Sequence, residues 1–268
     1  VTAVVWGERF ARNIRAPIQP IRVALLVSTG ALLVLSIASL VIFASQPANL
    51  FATLGVDYDF FVRAARRFVD GQGFYLERQL AGPYTMSIGI DTLYPPTALF
   101  LFVPFLVLPA VLWWAIPLGI LGYTTWRWRP AMWTWPFLAF AVWWPRDMSM
   151  MILGSTGMWV AALVAAGLMW GWAGPLILFK PTLAPFALAG FPRRAWWVGA
   201  GLALVASAVT LPLWPDYITA MLNGSGLPPI PYTLPDLPLM FVPIVAWVGR
   251  RQTPDQSVRQ FGHDVASG

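Results

Sequence analysis

Long apolar runs separated by short polar breaks organise this chain. They fall at 21–45, 95–109, 111–126, 131–145, 150–171, 173–191, 195–213 and 234–249. Each is apolar all round rather than along one 3.6-residue stripe, the pattern of helices surrounded by hydrocarbon. This predicts an all-α polytopic transmembrane bundle of about eight helices. It forms a single transmembrane domain over 1–249, followed by a polar cytoplasmic tail, 250–268. The first run exceeds a signal-peptide h-region and lacks a small-residue cleavage site, so a retained first helix with a cytoplasmic N-terminus is expected. One polar stretch, 46–94, is longer than every other break.

Composition supports the membrane reading. The chain is 58% hydrophobic and 10% charged, against about 25% charged in a typical soluble domain. Many of the 16 Trp flank the apolar runs, where an amphipathic ring prefers the headgroup level. The net charge of +6 is spread over the ends of apolar segments, not gathered on one basic face. That points to membrane topology and away from nucleic acid.

Alternation from a cytoplasmic N-terminus, with Arg9, Arg12 and Arg15, places Arg146, Arg193–Arg194 and Arg250–Arg251 inside. It places the 46–94 loop outside. Arg127 and Arg129 also land outside, against the positive-inside rule. With no Cys, and a single His (His263) in the polar tail, thiol nucleophiles, disulfides and His-based metal sites are excluded. No cofactor is expected, and two acidic residues alone do not decide metal dependence.

The long loop carries the chemistry. From Val56 it reads VDYDFFVRAARRFVDGQGFYLER. Asp59, Arg63, Arg66, Arg67 and Asp70 share one helical face, and Phe60, Phe61, Ala64, Ala65 and Phe68 share the other. Gly71 and Gly73 end the helix. The pattern predicts an external amphipathic helix lying on the membrane, apolar face down. Asp91-Thr92-Leu93-Tyr94-Pro95-Pro96 then opens the second run. The charges have a bland reading as a solvated face. Asp57 and Asp59 at the membrane edge, with arginines a turn away, also suit proton abstraction beside an anionic lipid headgroup.

An acidic residue after the first helix, DFFVRAARRFVDGQGFY, then YPP and a later Phe179-Lys180-Pro181 together resemble the GT-C-type glycosyltransferases. Among these the chain looks most similar to the actinobacterial polyprenyl-phosphate-mannose-dependent mannosyltransferases. The resemblance covers roughly residues 20–195. It implies a GT-C-like fold and inverting sugar transfer, of mannose in the family's manner, at the outer face of a bacterial plasma membrane. The donor would be a polyprenyl-phosphate sugar and the acceptor a lipid or glycan. It also implies Asp59 as general base, with Asp57 the runner-up. Arg63, Arg67, Tyr94, Arg127, Arg129 and Lys180 are the candidate substrate contacts. Where the family has a Gly-Gln or Gly-Asn element, this chain has Gly154-Ser155-Thr156-Gly157.

Several readings stay open at this level. Lys180, among Pro175, Pro181 and Pro185, either snorkels to the interface or contacts a lipid-linked phosphate. Arg127 and Arg129 are either cytoplasmic charges or outer-face phosphate ligands. Arg146 and Asp147 read as a local pair, and the Pro-rich loop before Asp236 as a cover or a linker. The rivals to a transferase are a transporter or flippase for a lipid-linked sugar, and a non-catalytic membrane protein.

Overall fold

A computed structural model describes residues 19–45, 53–87, 89–225 and 236–250. The basic N-terminal stretch, the Pro-rich 226–235 segment and the tail with His263 lie outside the described residues. The described chain is predominantly helical, with one two-residue β-bridge, Tyr84–Thr85 against Gly224–Ser225.

Helix α1 (Gln19–Ala44) contains Ile21–Ile42, a stretch long and apolar enough to cross a membrane. Val27, Val34, Ile37, Val41 and Ile42 are exposed along it, which suits contact with lipid tails rather than water. Helix α2 (Val56–Val69) is the amphipathic helix expected from the loop. Its apolar face does not lie on lipid, however. Phe60, Phe61, Ala64 and Ala65 are buried in the protein core, and Phe61 stacks on Phe102 at 4.7 Å. The covering segment is Pro96–Leu106, a short α turn between two 3-10 turns.

Four helices follow: α3 (Leu112–Trp128), α4 (Trp135–Trp143), α5 (Pro145–Leu153) and α6 (Gly157–Trp170). The run expected at 150–171 is therefore broken. Gly154 takes a left-handed conformation between α5 and α6 (φ 77°), and the two helices meet at 102°. A Cβ at Gly154 would sit 2.9 Å from the Trp114 ring, so glycine answers both backbone and space. Helices α7 (Arg194–Val209), α8 (Trp214–Asn223) and α9 (Leu237–Val248) complete the described fold. By length and composition one helix can span a membrane, or three if each bent pair (α5 with α6, α7 with α8) is one span.

The run at 173–191 forms two 3-10 segments, Gly174–Phe179 and Pro181–Leu188, with Lys180 between them. The segments pack against each other, and their far ends meet, because the Gly174 Cα lies against the Ala187 and Ala189 carbonyls where a Cβ would overlap them. The result is a hairpin with Lys180 at its tip. Six residues of 3-10 helix reach about 12 Å, so the tip stands well away from the base beside Gly167.

The arginines collect at the end of the molecule that holds this base. Arg193 donates to the Leu168 and Met169 carbonyls at 2.7 and 3.1 Å, and Arg250 lies near enough to Arg193 to feel its charge. The Ala131 amide, just past Arg129, donates to the Gly249 carbonyl at 2.8 Å. Tyr123 stacks on Trp170 at 6.3 Å, bringing the last turn of α3, with Arg127, to the same end. Arg127 and Arg129 thus join Arg193, Arg194 and Arg250. Arg146, expected beside Arg193–Arg194, lies at the opposite end with the 53–94 loop. The alternation fails there because 173–191 doubles back and 95–109 is a short covering segment.

Candidate functional site

The loop end contains an ionic cluster assembled from four separate stretches of chain, buried at Lys180 and Asp236 and open to the surface at Arg146. Asp57 sits in the first turn of α2. The amide of Gly55 donates to the Ile152 carbonyl at 3.0 Å, pinning the start of α2 to the end of α5. The Trp113 and Trp114 indoles donate to the Gly154 and Met151 carbonyls, each at 2.7 Å, and fix the α5–α6 break from below. These bonds satisfy carbonyls left open where α5 ends. They bring the Ser155 hydroxyl close enough to Asp57 to influence its carboxylate.

Lys180 reaches the cluster from the hairpin tip. It is only 6% exposed and makes no direct ion pair among the described residues. Its ammonium is within electrostatic reach of Asp236 and Asp57. Arg146 approaches from the start of α5, its Nε 2.9 Å from Oδ1 of the buried Asp236. Arg146 therefore pairs across to the start of α9, not with its neighbour Asp147. Asp147 is wholly buried, and neither of its oxygens is hydrogen-bonded. The Leu239 amide is turned toward it outside hydrogen-bond geometry.

Burial pushes the Asp57 carboxyl above the ordinary carboxylate range. Lys180, Arg146 and the Ser155 hydroxyl pull the other way without cancelling that effect, and Asp236 adds to it. Desolvation thus dominates over charge at this carboxylate. A half-buried carboxylate raised in this way is a stronger base than a free aspartate, and the two cations within electrostatic reach of it can hold an anion.

The sequence candidates divide cleanly. Asp57 and Lys180 converge. Tyr94 borders them: its hydroxyl is 2.7 Å from that of Thr156, joining the YPP element to the 154–157 break. Asp59 is exposed on α2 and does not face the cluster. Two residues along a helix rotate by about 200°, so Asp57 and Asp59 cannot share a target. Arg63 is exposed on α2. Arg67 holds the loop together, its Nη2 lying 3.4 Å from both the Phe74 carbonyl and the Thr92 hydroxyl. Arg127 and Arg129 are about 20 Å from Trp113 along α3 and do not join the site.

Arg146, Ser155 and Asp236 complete the cluster and were not among the sequence candidates. The available signal was position. Asp236 directly precedes an apolar run, and Arg146 follows Pro145 between two runs, where a charge needs a partner.

No group of three or more metal-ligating His, Cys, Asp or Glu residues occurs among the described residues. Compared with protein-family models, with curated proteins and with solved structures, the chain matches none.

Proposed function

We propose that this protein is a membrane glycosyltransferase of GT-C-like type. It moves a sugar, taken here as mannose, from a polyprenyl-phosphate donor to a lipid or glycan acceptor. The observation that carries this reading is the burial of Lys180 at the hairpin tip within electrostatic reach of Asp57 and of Asp236, the partner of Arg146. The gathering of Arg127, Arg129, Arg193, Arg194 and Arg250 at the other end supports a cytoplasmic placement of that end. The cluster then faces outward from the plasma membrane, within a bundle that crosses it several times.

Asp57 accepts the proton of an acceptor hydroxyl as its oxygen bonds the anomeric carbon from the face opposite the phosphate. The bond between that carbon and the phosphate oxygen breaks, and the electron pair leaves on the polyprenyl phosphate. Lys180 and Arg146 stabilise the developing charge. Asp236 holds Arg146 in place, and the proton on Asp57 returns to water. Polyprenyl phosphate and an inverted glycoside are the products. A transporter would need access from both ends in turn, whereas the hairpin base is closed by backbone contact among Gly167, Gly174 and Ala189.

The test uses purified full-length protein with polyprenyl-phosphate-[14C]mannose and an alkyl α-mannoside. Labelled disaccharide glycoside should form, and Asp57→Asn should abolish it. Donor movement across vesicles without product would favour the transporter.

A further inference from the structure

The loop end holds a second feature that the cluster does not use, an open cavity of about 340 Å³ between α1 and α5. Pro145, Met148, Ser149 and Ile152 line it from α5, Ser39 from α1, and Thr53 closes it near the start of α2. The four α5 residues follow i, i+3, i+4, i+7 spacing and so form one helix face. Asp147 and Met150 are buried on the other side, the side on which Arg146 reaches Asp236. Helix α5 thus separates this groove from the two cations.

The groove is largely apolar with a few hydroxyls, and it adjoins the exposed Leu35 and Ile42, which share the Ser39 face of α1. That surface is the one suited to lipid, so the groove continues the membrane-facing side of the molecule. Its inner end, Thr53, precedes Asp57 in sequence across the Leu54–Gly55 turn. A hydrocarbon chain lying in it would bring an attached polar head to the base, on the side away from Lys180.

Resting on the transferase reading, we infer that the acceptor is an amphiphile whose hydrocarbon chain occupies the α1–α5 groove and whose hydroxyl reaches Asp57. The donor phosphate then occupies the Lys180–Arg146 side, and the two lipids approach from opposite faces of α5.

The binding arm needs no turnover. A dodecyl α-mannoside with a terminal diazirine is photolysed with the full chain in nanodiscs, and labelled peptides are mapped. Labelling within 143–153, competed by dodecyl mannoside but not by phosphatidylcholine, is expected. Equal competition by phosphatidylcholine, or labelling elsewhere, overturns the inference.

In the turnover arm, kcat/KM should rise at least tenfold from methyl to dodecyl mannoside. Ser149→Trp, which fills the groove, should collapse that ratio toward one. Transfer independent of chain length in the wild type would sink the groove and leave the transferase reading standing. Competed labelling at 143–153 with no transfer would retain the groove as an amphiphile site and remove the transferase reading.

Discussion

The Gly55 amide donates to the Ile152 carbonyl at 3.0 Å, a contact between the start of α2 and the last turn of α5. The two residues are nearly 100 positions apart. Their contact carries Asp57 to the Gly154–Gly157 break, beside the Ser155 hydroxyl. The site is thus built on two helix ends, one opening and one closing, each satisfying backbone groups of the other.

The hairpin is tested through its glycine. Gly174→Ala puts a methyl group into the Ala189 carbonyl. It should destabilise the protein by about 1–3 kcal/mol and lower transfer by displacing Lys180. Gly201 lies in α7 with open space around it, and Gly201→Ala should be neutral or slightly stabilising. Thermal unfolding in detergent distinguishes the two, and equal Tm values would argue against the hairpin.

The pH dependence follows from Asp57. Its ionised form is the base, and burial raises its carboxyl above the ordinary range, so activity should rise with pH through an acid limb lying above about 3.9. Lys180 is the largest influence lowering that value. Lys180→Met should therefore move the limb to higher pH, as well as raise KM for the donor. A limb that stays in place or moves down would disconnect Lys180 from Asp57.

The same shift has a stability consequence. A carboxyl raised on folding binds protons more tightly in the folded state, so stability is lost as pH rises from the unfolded value through the folded one. At neutral pH Asp57→Asn should then fold with an equal or higher Tm while losing activity. A marked fall in Tm would recast Asp57 as a structural residue.

Orientation is open to a direct check, since the chain has no Cys. Gln72 is exposed on the loop side and Arg127 at the arginine end. In intact cells an impermeant maleimide should label Gln72→Cys and spare Arg127→Cys. The reverse pattern would turn the molecule over.

Part of this arrangement was readable in the sequence. The i, i+3, i+4 spacing of Phe60, Phe61, Ala64 and Ala65 gave α2 its bounds and its buried face, because helical periodicity is a local property. What covers that face is a tertiary matter, and Phe102 supplied the cover expected from lipid. The hairpin was hidden because 173–191 has the same apolar composition whether it crosses or returns. Its prolines, Pro175, Pro181 and Pro185, were the only local sign. Counting the short 95–109 segment as a crossing misplaced Arg127, Arg129 and Arg146, and the missed reversal then hid that error at Arg193–Arg194. The choice between Asp57 and Asp59 could not be made from spacing, since both open the same helix. Only the Gly55–Ile152 contact and the hairpin tip decide which one faces a cation.

The most direct measurement is therefore a paired substitution. Asp57→Asn and Asp59→Asn proteins, purified and shown to be folded, are assayed for transfer from polyprenyl-phosphate-mannose. The account predicts a fall of roughly 10²-fold or more for Asp57→Asn, with donor binding retained, and near wild-type turnover for Asp59→Asn. Full activity in Asp57→Asn with loss in Asp59→Asn would contradict it.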